Sequence, residues 1–191
     1  MSDAALIEGV GLGAVRGERV LFRDMSVAAR AGELILLRGA NGSGKTTLLR
    51  QLAGLSQPQA GTVKRPVRHH WLGHSNGLKA HETPRTHLAH WANVWGSDGD
   101  PGAILKTVGL SRPADVPCRM LSAGQKRRTA LGRLSLQTRP LWLLDEPFNA
   151  LDSDGQALLV DMIAVHRASG GAVIAALHGA APIEATREVT L

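Results

Sequence analysis

Tyrosine is missing from this chain of 191 residues, and aromatic side chains amount to only 3% of it. Single-stranded nucleic acid is held on stacked aromatic rings, so so few of them argue against a nucleic-acid partner. Cysteine occurs once, at Cys118, which excludes an internal disulfide framework and suits a reducing compartment. No apolar run approaches the ~18 residues of a membrane-spanning helix. The opening residues Met1, Ser2, Asp3, Ala4 and Ala5 have neither the basic nor the apolar region of a secretory signal, so a soluble intracellular chain is expected. Acidic residues are outnumbered, 16 against 22 Lys+Arg, for a net charge of +6. Lysine is scarce among the cations, and the densest groups are Lys64, Arg65 and Arg68, and Lys126, Arg127 and Arg128. Without a long basic run, a solvated basic surface is the expected reading, with an anionic membrane or protein partner as the alternative.

What is present is ordinary globular material: 43% hydrophobic and 20% charged residues, enough for one domain, or for a core with a small inserted subdomain. Residues 1–32 hold short alternating segments such as Arg19–Phe22 and Met25–Ala28, broken by glycines, as in antiparallel strands. Glu33–Arg38 is a compact apolar run of the kind buried on both faces. A glycine-rich turn leads into a helix over Lys45–Ala53, stopped by Gly54. Between about 77 and 135, Pro84, Pro101, Pro113 and Pro117 punctuate segments of helical spacing, which predicts an inserted helical subdomain. Strand-like Leu141–Leu144 and Ala172–Leu177 follow, separated by a helix from about Ser153 to Ala168. This alternation predicts an α/β fold with a largely parallel sheet.

Three motifs carry chemistry. Gly39, Ala40, Asn41, Gly42, Ser43, Gly44, Lys45 and Thr46 match the P-loop pattern, placed between strand and helix, with Thr47 following in the same turn. Backbone N–H groups of such a loop converge on phosphate oxygens, and the helix adds its positive end. Lys45 is expected to reach the β- and γ-phosphates of ATP and Thr46 to ligate Mg²⁺. A chance match in a chain this long has a frequency of roughly 1%. The second motif is Asp145–Glu146 at the end of the apolar strand Leu141–Leu144. Neighbouring carboxylates repel; Mg²⁺ held by Asp145 and an attacking water polarised by Glu146 account for the pair. The third is Leu121–Gln125, where Ser122 and Gln125 have the spacing of a capping box opening an amphipathic helix.

Together these motifs resemble the ATP-binding cassette (ABC) ATPases. Leu121–Gln125 looks like their signature sequence, with Ala123 where glycine is usual. Asn149–Asp152 looks like the D-loop and His178 like the switch histidine. Two stretches, Trp71–Lys79 and Asp145–Asp152, together with Leu121–Arg128, resemble more narrowly the ATP-binding subunits of the haem exporters of cytochrome c maturation.

The resemblance implies a single P-loop NTPase domain of ABC type. Its mixed, mostly parallel core would take in 1–76 and 136–191, with an antiparallel β region at the N-terminus and a helical signature subdomain at 77–135. It implies ATP as substrate with Mg²⁺, and two copies facing head to tail. The partner copy's Ser122, Gly124 and Gln125 would complete each P-loop site, with Asp152 at the junction. It also implies integral-membrane permease subunits, and a place on the cytoplasmic face of the inner membrane. Two alternatives stay open: a transporter motor for another substrate, and a soluble ABC ATPase of DNA repair or translation. The latter usually carry coiled-coil or zinc insertions or a second cassette, and none is visible.

Two positions depart from the family pattern. The Q-loop glutamine falls at His74, or at Ser75 if the loop shifts by one, so His74 is the candidate for catalysis and for the metal's shell. The aromatic that stacks on adenine falls near Arg16, whose guanidinium plane can also stack on a base. Six histidines crowd one stretch, His69, His70, His74, His81, His87 and His90, but their spacing matches no closed metal motif, so they read as polar surface and core residues. Cys118 reads as a structural thiol. Trp71, Trp91, Trp95 and Trp142 read as core or interface anchors.

Overall fold

The computed structural model describes residues 4–179 and 182–191. The chain divides into two compact units. The first comprises the chain up to Trp71, Arg139–Pro147 and Met162–Leu191; the second comprises Leu72–Thr138 and Phe148–Asp161.

Two sheets build the first unit. Strands β1 (Ile7–Arg16) and β2 (Arg19–Ala29) form an antiparallel hairpin, paired from Ile7 opposite Ala29 to Arg16 opposite Arg19, with the register shifting at irregularities between Gly9 and Val15. The apolar segments on either side of Asp24 join into this one strand, with Asp24 itself at φ 51°. Strands β3 (Leu34–Arg38), β4 (Ala60–Lys64) and β5 (His69–Leu72) follow, with helix α1 (Lys45–Leu52) between β3 and β4. β4 closes the first sheet against β1, in the order β2-β1-β4. There the backbones approach so closely that a Cβ on Gly61 would lie 2.3 Å from the Val10 carbonyl oxygen. Strands β6 (Leu141–Asp145), β7 (Ala172–Ala176) and β8 (Arg187–Thr190) complete the second sheet, ordered β5-β6-β7-β3-β8. The pairs β6–β7, β7–β3 and β3–β8 are parallel.

Every residue of β6 and β7 is buried, as are Leu34–Leu37 of β3. This is why these strands read as continuous apolar runs rather than alternating ones. Leu48, Leu49 and Leu52 of α1 join Ile7, Leu12 and Phe22 of the first sheet and Ile35, Leu37, Leu143 and Ile174 of the second in one core. Each such leucine contributes about 2 kcal/mol by leaving water, so Leu48→Ala would cost about 2–5 kcal/mol. The first turn of α1 follows the glycine-rich loop directly, so this core holds that turn in place.

The second unit is helical, with α2 (Pro84–Trp95), α3 (Pro101–Thr107) and α4 (Ala123–Gly132), and short 3-10 turns at Arg112–Asp115, Cys118–Met120 and Arg133–Ser135. Local chemistry starts and stops these helices. Thr83 and Thr86 form a capping box at α2, Pro84 occupies its first turn, and Gly96 ends it at φ 60°. Asp100 caps α3 by accepting from the N–H groups of Gly102 at 2.8 Å and Ala103 at 3.1 Å. Leu88, Ala92, Ile104, Leu105, Val108, Leu110 and Leu136 form its core, with Trp91 and Trp95 packed against it. Cys118 is buried, and burial pushes its thiol pKa up. Helix α5 (Ser153–Ala168) contributes its first half to the second unit and its second half to the first.

Candidate functional site

The P-loop joins β3 to α1 in the first unit. Gly39, Gly42 and Gly44 take φ values of 143°, 79° and 111°, which L side chains rarely adopt. At Gly44, the residue preceding α1, a Cβ would also lie 2.9 Å from the Phe22 ring. No side chain caps α1, so its first N–H groups stay available to an anion. The Lys45 side chain is buried, and its Nζ donates to the carbonyl oxygens of Gly39 at 2.7 Å and Ala40 at 3.1 Å. The ammonium is thus held inside the loop, where it can exchange carbonyl for phosphate oxygens. The buried Ser43 Oγ has no hydrogen-bond partner among the described residues. An orphaned hydroxyl in such a cradle is accounted for by a ligand.

The carboxylate of Asp145 ends the buried strand β6 and is itself 1% exposed. The Thr46 hydroxyl donates to it, with both carboxylate oxygens at 3.0 Å. A hydroxyl and a carboxylate, hard oxygen donors beside a phosphate cradle, are the ligand chemistry of Mg²⁺, which keeps its remaining places for water and phosphate. The residues present therefore fit the ion. Glu146 follows in a left-handed conformation at φ 49°, its N–H donating to the Ala176 carbonyl at 3.0 Å. A non-glycine residue held there stores strain; here the turn brings Glu146 to the cleft. A cavity of about 410 Å³ is lined by Arg16, Asn41, Lys45, Thr46, Thr47 and Glu146, with Arg19, Leu21 and two loop glycines. The first unit thus brings together Arg16, the P-loop, Asp145 and Glu146.

Ser122, Gly124, Gln125 and Asp152 come together in the second unit. The Ser122 hydroxyl accepts from the Gln125 N–H at 3.1 Å, and the Gln125 side chain accepts from the Ser122 N–H at 2.9 Å. The capping box at the start of α4 is therefore complete. Gly124 has no room for a side chain, since a Cβ would lie 2.9 Å from the Ala150 carbonyl oxygen. Ala150 itself takes φ 64°. Asp152 accepts from the Gly155 N–H at 3.0 Å near the start of α5. It also pairs with Arg128, whose hydrogen bond holds its carboxyl below the usual carboxylate range.

The remaining candidates lie on exposed turns. His74 is exposed in the loop after β5, and so is Ser75. Their loop is anchored by buried Arg127, which donates to the Gly73 carbonyl at 2.9 Å and the Asn76 side chain at 3.1 Å. His178 is exposed beyond β7, next to Gly179, whose carbonyl accepts from Arg38 at 2.6 Å. The anchoring roles of Arg127 and Arg128 escaped sequence reasoning. In the run Lys126–Arg128 only buried contacts distinguish an anchor from a solvated cation. His87 is buried, its Nδ1 3.2 Å from Glu82, while His81 pairs with Arg119 at 2.9 Å. Among the described residues no group of three or more His, Cys, Asp or Glu is placed to hold a metal ion.

This architecture and this cradle are those of an ABC-type P-loop ATPase. The ABC transporter family profile matches residues 22–149, and the chain belongs to that family. Among its relatives, the cytochrome c biogenesis ATP-binding export protein CcmA of Hyphomonas neptunium is 56% identical over 191 residues, covering 100% of this chain and 99% of the relative. The protein of the same description from Methylococcus capsulatus is 44% identical over 195 residues, covering 94% of each. Among solved structures, an ABC transporter ATP-binding protein from Pyrococcus furiosus described as putative superposes with TM-score 0.80 at 19% identity, covering 97% of this chain and 96% of that one. At that identity the likeness concerns the fold. The chain is an ATP hydrolase of the ABC transporter type. Among the described residues no helix is long and apolar enough to cross a membrane.

Proposed function

We propose that this chain is the ATP-hydrolysing motor of the membrane complex that exports haem for cytochrome c biogenesis. The observation that carries the ATPase chemistry is the Thr46–Asp145 pair, hydroxyl to carboxylate at 3.0 Å, directly beside the P-loop lysine. The full-length likeness to export proteins of cytochrome c biogenesis supports the physiological assignment over another cargo or a soluble role. Residues 39–47 bind the triphosphate, with Lys45 on its β- and γ-oxygens. Thr46 and Asp145 would hold Mg²⁺, which when bound neutralises charge on those oxygens. Glu146 polarises the attacking water. His178 contacts the γ-phosphate end of the site, and His74 stands in for the Q-loop glutamine toward water and the metal's shell.

The chain works as one ABC domain, with 77–135 as its signature-bearing subdomain. Two copies face head to tail, so that Ser122, Gly124 and Gln125 of one complete the P-loop of the other, with Asp152 at the junction. Integral-membrane permease subunits hold the pair at the cytoplasmic face of the inner membrane. The test is complementation in a bacterium deleted for this gene, read as haem-stained c-type cytochromes. The parent chain restores them and Glu146→Gln does not. Restoration by both, or by neither, would overturn the proposal.

A further inference from the structure

Arg38 is the last residue of β3, and the glycine-rich loop begins at the next position. β3 lies between β7 and β8. Its parallel register sets Leu37 opposite Ala176 on one side and Arg38 opposite Thr190 on the other. Arg38 therefore stands level with the point where β7 stops and the chain turns off toward His178. The Leu177 N–H still donates to the Leu37 carbonyl at 3.2 Å. Beyond it, among the described residues, the one hydrogen bond to His178 or Gly179 comes from Arg38.

That bond belongs to a three-point grip. Nε and Nη2 of Arg38 donate to Glu188 Oε1 on β8 at 3.0 and 2.8 Å, and Nη1 donates to the Gly179 carbonyl at 2.6 Å. The Glu188 side chain is 51% exposed, and an ion pair so open to water contributes little to stability. Its effect is geometric. A guanidinium is a rigid plane, so holding two of its nitrogens on β8 sets where the third points. It points at Gly179, whose φ of 75° lets the turn leave the sheet in a direction that L side chains rarely allow. The backbone of Arg38 runs directly into Gly39, whose carbonyl accepts from Lys45 Nζ at 2.7 Å. One side chain thus ties the His178 turn to the strand that delivers the phosphate cradle.

We propose that Arg38 is a positioning residue for ATP hydrolysis: by gripping Glu188 and Gly179 together, it holds His178 toward the γ-phosphate. The inference rests on the reading of His178 as a residue that acts there. Arg38 itself does not line the P-loop cavity, so it acts through the turn it holds. A lysine does not replace it, because an ammonium is a point donor without a fixed fork.

Steady-state ATP hydrolysis by the full chain with Mg²⁺ tests this as a double-mutant cycle. Arg38→Gln should lower kcat about tenfold, the effect of a misplaced group, and leave KM within about twofold. Arg38→Lys should lose about fivefold with the same split. Glu188→Ala, which frees the fork but keeps the arginine, should lose about threefold. His178→Ala should lower kcat about a hundredfold, and in that background Arg38→Gln should remove less than about a further twofold. A merely structural role would instead multiply the two losses, as independent effects do. Multiplied losses, a KM that rises as far as kcat falls, or parental turnover by Arg38→Gln would each overturn the positioning role alone. Parental turnover by His178→Ala would be a different result, overturning the reading of His178 and the positioning role with it.

Discussion

The P-loop and the signature segment each open a helix, and they satisfy their own polar groups in opposite ways. At the P-loop the residue before α1 is a glycine with no capping side chain, the Ser43 hydroxyl is unbonded, and Lys45 is held by loop carbonyls. At the signature, Ser122 and Gln125 cap each other, and Asp152 is engaged by Arg128 and Gly155. One segment needs an anion to complete it; the other is complete in itself. On the proposed function, binding energy would come from the first, and the second would contribute a preformed surface that matters only when the reaction centre meets it. Changes at the P-loop should damage binding and turnover together, while changes at the signature should damage turnover alone.

The largest effect is expected from Lys45→Ala. It removes the ammonium proposed to meet the β- and γ-phosphates and leaves the Gly39 and Ala40 carbonyls without their donor. Phosphate release should fall about a thousandfold or more, and ATP affinity should fall with it. Turnover near the parent's would break the comparison at its stronger end.

Glu146→Gln separates binding from chemistry within the first unit. The amide keeps the shape of a side chain held at φ 49° but cannot polarise water, so kcat should drop about a hundredfold or more while ATP still binds. The nucleotide-bound dimer should then accumulate on size-exclusion chromatography. A variant that stays monomeric with ATP would count against the head-to-tail arrangement.

Gly124→Ala probes the signature. The new methyl would lie 2.9 Å from the Ala150 carbonyl oxygen, so either the start of α4 or the Asn149–Asp152 turn must shift. With the P-loop untouched, ATP affinity should stay within about twofold, while kcat falls about ten- to a hundredfold, the cost of a misplaced contact. Equal losses in affinity and kcat would show that the two segments do not divide the work in this way.

What could be read from the chain was whatever is encoded within one element. The P-loop, the carboxylate pair after Leu144 and the Ser122–Gln125 box are each set by residues a few positions apart, and helix α5 runs from Ser153 to Ala168 as its pattern predicts. Strand order is another matter. That β3 lies between β7 and β8, and that β4 returns to β1, depends on partners distant in the chain, and such pairing leaves no local periodicity. The same limit hid Arg19, an unremarked cation in a hairpin until its register set it opposite Arg16 at the cavity lined by the P-loop. Glu146 was legible as a residue type, whereas its left-handed backbone was not, because nothing in its identity favours that conformation.

The smallest expected effect concerns stability and not turnover, and it again compares the two units. Burial lowers the pKa of His166, against the pull of the Ala172 carbonyl, and of His87, against the pull of Glu82. His69 is lowered by burial and then by Arg139 and Arg65. In each case the unfolded chain takes up a proton near the ordinary value of 6.5 while the folded chain resists it. Stability is therefore full above about 6.5 and is lost progressively as the pH falls toward the lowered folded values. His166 and His69 belong to the first unit and His87 to the second. His166→Phe keeps the ring stacked on Trp142 and removes one titrating group, so the acid slope of the unfolding free energy should ease by at most one proton, ~1.4 kcal/mol per pH unit. Urea melts of both proteins between pH 8 and 5 measure it. Superimposable pH profiles would mean that His166 is as readily protonated in the folded chain as in the unfolded one.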